Sequence, residues 1–238
     1  MNAIVPFAVA PRRTLDIDLV GDFTCPWSWL GMLQVNRALG HLQGDVQPRL
    51  RWHPFRLQRR ADTGEAATAP SFRDYLSGRL PHGVSPDDAE HSLTQAGRSL
   101  GIEFHFERLS SVPDTSEAHR LTLLAMREEK QAQVAAAIFR AYFVDGRDIG
   151  KREVLAAIAA ETGLSDALIA DFVGSRAGDD EVARQELRLQ GFGVRAVPNL
   201  LFNGRVLVPG AVDVNTYVAA LDQTLFPSDE ESAPRRLH

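Results

Sequence analysis

A single cysteine in 238 residues, Cys25, has no partner for an internal disulfide and cannot build a cysteine-rich zinc site. Such usage suits a reducing compartment. No apolar run approaches the roughly 18 residues a membrane-spanning helix requires. Basic blocks stop at two or three residues and the formal net charge is −5. The chain therefore lacks the electrostatic footprint of a nucleic-acid binder. Its seven histidines are scattered without ligand spacing, so no metal site is expected. Internal repeats are absent as well. The opening stretch MNAIVPFAVAPRR carries its charges after a short apolar segment that holds a proline, the reverse of a secretory signal. It reads as a disordered leader, residues 1–13, of a cytoplasmic protein.

What is present is an ordinary globular composition, 44% hydrophobic and 24% charged, long enough for one large domain or two small ones. TLDIDLV alternates apolar Leu15, Ile17 and Leu19 with Asp16 and Asp18, the period of a strand. Leu30, Leu33, Val35, Ala38 and Leu39 form a helical stripe closed by Gly40, and VQPRLRWHPF reads as a second strand. Strand, helix, strand in about 40 residues is a βαβ unit with a right-handed crossover. QRRADTGEAATAP, residues 58–70, is a loop. From 71 to 190 the pattern is helical throughout. SPDDAEHSLTQAGRSLG starts with a serine cap and a proline in the first turn, and DTSEAHRLTLLAMREEK and QAQVAAAIFRAYFVDG are longer segments. VPNLLFNGRVLV places two apolar runs around Asn203-Gly204, a strong hairpin signal, and DVNTYVAALDQTLF is an amphipathic closing helix. The order βαβ, helices, ββα predicts one α/β domain with a helical insertion, because the first βαβ alone is too small to close a core.

GDFTCPWSWLG holds the chemistry. With the strand ending near Asp22 and Pro26 at the first helical position, Cys25 falls at the helix N-cap. A sulfur there faces free amides and the positive end of the helix dipole, an interaction of about 1–2 kcal/mol. It is expected to lower the thiol from ~8.5 to about 7–7.5. The competing reading is a small buried hydrophobe with no task. Val197-Pro198 opens a strand that Pro198 cannot pair through its nitrogen. On local grounds its peptide bond is trans, since only ~5–6% of X–Pro bonds are cis.

DFTCPWSWLG, WHPFRL, DTSEAHRL, FRAYFVDGRDIG and VRAVPNLLFNGRVLVPGA, in this order and spacing, resemble the FrnE-type proteins of the DsbA-like thioredoxin superfamily. The resemblance covers residues 15–226. It implies a thioredoxin fold with a mixed sheet, over 14–60 and 185–226, interrupted by an all-helical insertion at 61–184 and followed by a polar tail at 227–238. It also implies a cis peptide before Pro198, beside Cys25. Catalytic Cys25 and Ser28 follow from it, with Pro26, Trp27, Val197, Pro198, Gly210 and Ala211 as the surface that binds a thiol co-substrate; His53, where the family pattern usually has arginine, joins that surface on its place at the strand end. The departure is Ser28, which stands where the family has its second cysteine. A serine cannot resolve a mixed disulfide, so a self-contained dithiol cycle is excluded. CPWSWLG is also similar to the SPYSWLG of kappa-class glutathione transferases and hydroxychromene carboxylate isomerases, where the hydroxyl at the position of Cys25 contacts glutathione sulfur.

Three functions follow, in this order. The first is a monothiol DsbA-like oxidoreductase resolved by glutathione or another small thiol. The second is a glutathione-dependent transferase or isomerase, and the third a non-catalytic binding protein. No tightly bound cofactor is expected, and glutathione is the expected co-substrate. A hydrophobic small molecule or a protein could be the second substrate, and a homodimer stays open. His53 could face the cleft and stabilise a thiolate, although a structural role is the commoner one for a strand-end histidine. His119 reads as a packing or hydrogen-bonding residue. Arg56, Arg59 and Arg60 form a solvated loop or, as the rarer alternative, a clamp for the carboxylates of glutathione. Asp22 is expected to hold the junction loop through backbone bonds.

Overall fold

The computed structural model describes residues 13–42, 46–58 and 69–227. Among them the chain order is β1 (Arg13–Gly21), α1 (Pro26–Leu39) and β2 (Val46–Pro54), then the helices α2 (Phe72–Ser77), α3 (Pro86–Ser99), α4 (Ser116–Ala125), α5 (Gln131–Phe143), α6 (Arg152–Glu161), α7 (Asp166–Gly174) and α8 (Asp179–Gly191). The chain returns to the sheet with β3 (Asn199–Phe202) and β4 (Val206–Pro209) and closes with α9 (Val214–Leu225). The sheet order is β2-β1-β3-β4, with β1 and β2 parallel and the other neighbours antiparallel. This is the thioredoxin fold with a helical block inserted between β2 and β3. The leader at 1–13 and the tail at 227–238 fall, apart from Arg13 and Pro227, outside the described residues, as does the loop at 59–68. The expected change of domain at residue 184 lies within α8.

Strand alternation sorts the two faces of the sheet. Leu15, Ile17 and Leu19 are fully buried, and Ile17 and Leu19 stand opposite Phe202 and Leu200. That face receives α1 and α9, whose Tyr217 packs against Phe202. On the other face Arg51 pairs with Asp16 and Asp18, and His53 with Asp18. The hairpin turn has positive φ at both Asn203 (46°) and Gly204 (66°), which is why Asn-Gly occupies it.

The helical block is held by aromatic rings. Phe104 and Phe106 stack at 5.0 Å, Phe106 and Phe72 at 5.4 Å, and Phe143 meets all three edge-on. Trp29 of α1 lies parallel to Phe139 of α5, so one apolar core runs from the sheet layer into the helices. The segment read as a helix to Lys130 ends sooner, because α4 stops at Ala125. A single 3-10 turn follows, and Glu129 turns left-handed at φ 58°. No described helix is long and apolar enough to cross a membrane.

Candidate active site

The site begins where β1 stops. A Cβ on Gly21 would lie 2.4 Å from Cη2 of the buried Trp52, so only glycine lets the strand pass. The next residue, Asp22, is 1% exposed. Its Oδ2 accepts the Leu57 N–H at 2.8 Å and the Thr24 hydroxyl at 3.0 Å, while Oδ1 faces His119 Nε2 at 3.5 Å. Trp52 donates its indole N–H to His119 Nδ1 at 3.1 Å. An indole N–H only donates, so Nδ1 must offer its lone pair, and the proton of the neutral ring sits on Nε2, toward Asp22. Burial would raise the Asp22 carboxyl, but the contacts with His119, Leu57 and Thr115 outweigh it and hold the group below the usual range. Because Thr24 spends its proton on Asp22, the Tyr75 hydroxyl is the donor in its 2.9 Å bond to Thr24 Oγ1. Burial, then the Asp22 charge, push that phenol well above its ordinary value.

Cys25 occupies the N-cap of α1, as the Cys-Pro step predicts, with Pro26 at the first helical position. Its N–H donates to the Asp22 carbonyl at 3.1 Å, and its own carbonyl accepts from Ser28 N–H at 3.0 Å. The thiol donates to the Val197 carbonyl across 3.8 Å. Ser28 is fully buried; its Oγ accepts the Asp22 N–H at 3.4 Å, and its hydroxyl acts to lower the Cys25 thiol. The amides of Ser28 and Trp27 also act on that sulfur. These donors do not prevail. Burial, the largest cause, together with the Asp22 charge, pushes the thiol up to about 11. The expected depression to about 7–7.5 is thereby corrected: a helix N-terminus contributes ~1–2 kcal/mol, less than the loss of water around a thiolate with 3% exposure.

The Val197–Pro198 peptide bond is cis. The Pro198 carbonyl accepts Gly210 N–H at 2.8 Å, and Tyr217 donates to the Gly210 carbonyl at 3.1 Å, with Gly210 at φ 80°. Ala211 is partly buried against the same core. Val197, Pro198 and Gly210 are thus joined on the side of the thiol, and Trp27 half-buries at the start of α1. His53 is engaged elsewhere. Trp52 points into the core, so His53 must point the other way, where its Nε2 meets Asp18 at 2.8 Å. Arg56 is no solvated loop residue, since its guanidinium is bonded to the buried Glu186 and to Ser116. Arg59 and Arg60 lie outside the described residues. Among the described residues no histidine, cysteine and carboxylate group is arranged to hold a metal.

Sequence reasoning did not single out Thr24, Tyr75, Thr115 or Trp52 as parts of the site. One signal was available, because Thr115 and His119 are four apart on DTSEAHRL and so share a helix face. Tyr75 had none, lying in a helix of six residues.

A lone thiol at the start of the crossover helix, facing the carbonyl before a cis proline, defines a thiol protein of the thioredoxin fold. More closely, the chain belongs to the DSBA-like thioredoxin domain family, which matches residues 16–222. Among solved structures it is similar to a probable DsbA oxidoreductase from Streptomyces coelicolor, with 22% identity, TM-score 0.76 and 94% of each chain covered. It is also similar to the cytosolic disulfide reductase DsbM from Pseudomonas aeruginosa with GSH (20% identity, TM-score 0.61, 88% of this chain and 98% of that one). A 2-hydroxychromene-2-carboxylate isomerase shares the fold as well (14% identity, TM-score 0.63, 88% and 96% covered).

Proposed function

We propose that the protein is a monothiol thiol-disulfide oxidoreductase working through Cys25. The thiol loses its proton and its sulfur attacks a disulfide RSSR. A Cys25–SR bond forms as the S–S bond breaks, and the expelled half takes up the proton as RSH. An external thiol R′SH then attacks the R sulfur of the mixed disulfide: an R′S–SR bond forms, Cys25 leaves as thiolate and takes up the proton, so the serine at position 28 is no obstacle. Glutathione is the thiol we assign to this step, a ligand that the structurally similar DsbM carries. The observation that supports this reading is the place of Cys25, at the N-cap of α1 with its thiol on the Val197 carbonyl; one turn on, where a resolving thiol would stand, is the buried Ser28 hydroxyl, which lowers the thiol. With the amides of Trp27 and Ser28, it supports the thiolate each time Cys25 leaves. Intact mass after exposure to oxidised glutathione tests it. A single adduct, lost in Cys25→Ser and removed by reduced glutathione with turnover of a small disulfide, is expected.

One observation favours a second reading, a glutathione-dependent transferase or isomerase. A thiol held protonated at neutral pH can donate its S–H to the thiolate of bound glutathione. Turnover of an electrophile that needs reduced glutathione, with no adduct on Cys25 at any stage, would decide for this reading and against the first.

A further inference from the structure

The backbone of Asp22 is bonded to both residues of the site. Its carbonyl accepts the Cys25 N–H at 3.1 Å, and its N–H donates to Ser28 Oγ at 3.4 Å. The Asp22 carboxylate is thus carried on the same short loop as the thiol, and its charge opposes loss of the thiol proton. A chain of contacts reaching into the helical block bears on that charge. His119 of α4 is fully buried, and its Nε2 faces Asp22 Oδ1 at 3.5 Å. Among the described residues neither atom has a closer hydrogen-bond partner.

Two events at His119 would change the charge felt by the thiol. The ring could take a second proton on Nδ1, or shift its proton to Nδ1 and leave Nε2 to accept one from a protonated Asp22. Either event puts a hydrogen on Nδ1, where the Trp52 indole already points its own at 3.1 Å. Two buried donors set against each other are costly. The indole is also held in place. Its ring stacks on Phe23 at 4.8 Å and meets Phe139 edge-on at 5.5 Å. The Gln131 side-chain amide accepts the Trp52 backbone N–H at 2.9 Å and donates to its carbonyl at 3.1 Å. Three other ionisable groups feel the Asp22 charge. Tyr75 of α2 and Tyr142 of α5 are raised well above the phenol range, by burial first, and Arg56 after β2 is held charged by its bond to Glu186. None of the three changes charge between about pH 5 and 9.

We propose that Trp52 and His119 are positioning residues of the Cys25 site: the indole confines the imidazole to its neutral Nε2–H form, the imidazole keeps Asp22 a carboxylate, and Cys25 answers to pH through its own proton alone. This deepens the assignment of thiol exchange to Cys25 and rests on it.

The test follows labelling by methyl methanethiosulfonate, which passes its CH3S group to a thiolate and releases methanesulfinate. With one cysteine in the chain, intact mass reads one adduct. In the parent, log rate should climb with unit slope from about pH 5 to 9. Trp52→Phe keeps a ring and frees Nδ1, so His119 can take a second proton where imidazoles titrate and neutralise Asp22 at the acid end. At about pH 5 this variant should label about tenfold faster than a unit slope drawn down from about pH 9 requires. The break should vanish in Trp52→Phe/His119→Gln, whose amide does not titrate. It should be absent from Phe139→Leu, which loosens the same aromatic cluster and leaves the hydrogen bonds. In the parent, the 15N shifts of the His119 ring should be those of the Nε2–H form and stay constant over the same range. A unit slope in folded Trp52→Phe, a break in either of the other two variants, or parent 15N shifts that titrate overturn the proposal. The expected break, with no adduct from oxidised glutathione on the parent at any pH, sustains it and overturns the exchange reading instead.

Discussion

Replacing Asp22 by asparagine removes a charge and keeps the shape, so its two consequences can be calculated separately. The asparagine oxygen can still accept from Leu57 N–H and Thr24, as Oδ2 does now. Its amide then points hydrogens at His119 Nε2, which already carries one because Nδ1 accepts from Trp52. Two buried donors facing each other cost about 1–3 kcal/mol. At roughly 2–4 °C per kcal/mol for a chain of this size, the melting temperature should fall by about 2–12 °C. The thiol should respond in the opposite sense. Losing the negative charge brings Cys25 down from about 11, but burial is the larger cause and remains, so the value stays above the free ~8.5. A fall of about one unit raises the thiolate fraction at pH 7 tenfold, from about one in ten thousand. Iodoacetamide alkylation between about pH 7 and 9 reads this directly, with parallel lines of log rate against pH and the variant above the parent. A folded variant that alkylates more slowly at every pH would refute the reasoning, since Asp22 would then be accepting the proton of Cys25 instead of opposing its loss.

Three further outcomes are expected. A folded-state thiol raised above its unfolded value stabilises the protein below ~8.5, and this contribution is lost as pH rises through about 11. Denaturant titrations at both ends of that window should therefore show Cys25→Ser losing about 3 kcal/mol less than the parent, and equal losses would contradict the burial argument. Ser28→Cys should close a disulfide with Cys25 under mild oxidant, because positions 25 and 28 lie one turn apart on α1; two free thiols in the folded variant would contradict that geometry. Gly21→Ala should displace Trp52 and cost about 1–3 kcal/mol, with a changed near-UV spectrum, whereas parent-like stability would show that β1 can shift away.

Much of the fold is legible because its signals are local. The alternation over Leu15–Leu19, the Asn203-Gly204 turn and the Ser85-Pro86 helix start each depend on a few adjacent residues, and each stands in the structure where it reads in the sequence. The early end of α4 at Ala125 has no comparable mark, since Arg127, Glu128 and Glu129 are all acceptable helix formers. At the site, the N-cap position of Cys25 is readable from Pro26, but its ionisation is not. That depends on how much water reaches the sulfur, and groups around it, such as the Val197 carbonyl, are brought there by tertiary packing. The histidines exchanged roles for a reason that strand parity already contains. A core-facing Trp52 turns His53 away, while His119 reaches the site only because α4 packs against the end of β2.

In the monothiol exchange proposed for Cys25, a raised thiol value also decides how long each half lasts. Attack on a disulfide requires the thiolate, which is scarce here at neutral pH, so formation of the Cys25 adduct is slowed by protonation although the thiolate, once formed, is strongly nucleophilic. Resolution is slowed as well, because a sulfur of high pKa is the poorer leaving group. The Ser28 hydroxyl and the amides of Trp27 and Ser28 are the groups that counter this, since they favour the thiolate. In a dithiol relative a neighbouring cysteine removes the problem by attacking within the molecule. Here that position holds the Ser28 hydroxyl, and in the proposed cycle resolution is left to the thiol that arrives. The adduct should therefore accumulate and persist until a free thiol reaches it, and its lifetime should shorten in proportion to the concentration of that thiol. Selection of the incoming thiol then matters more than the speed of the first attack.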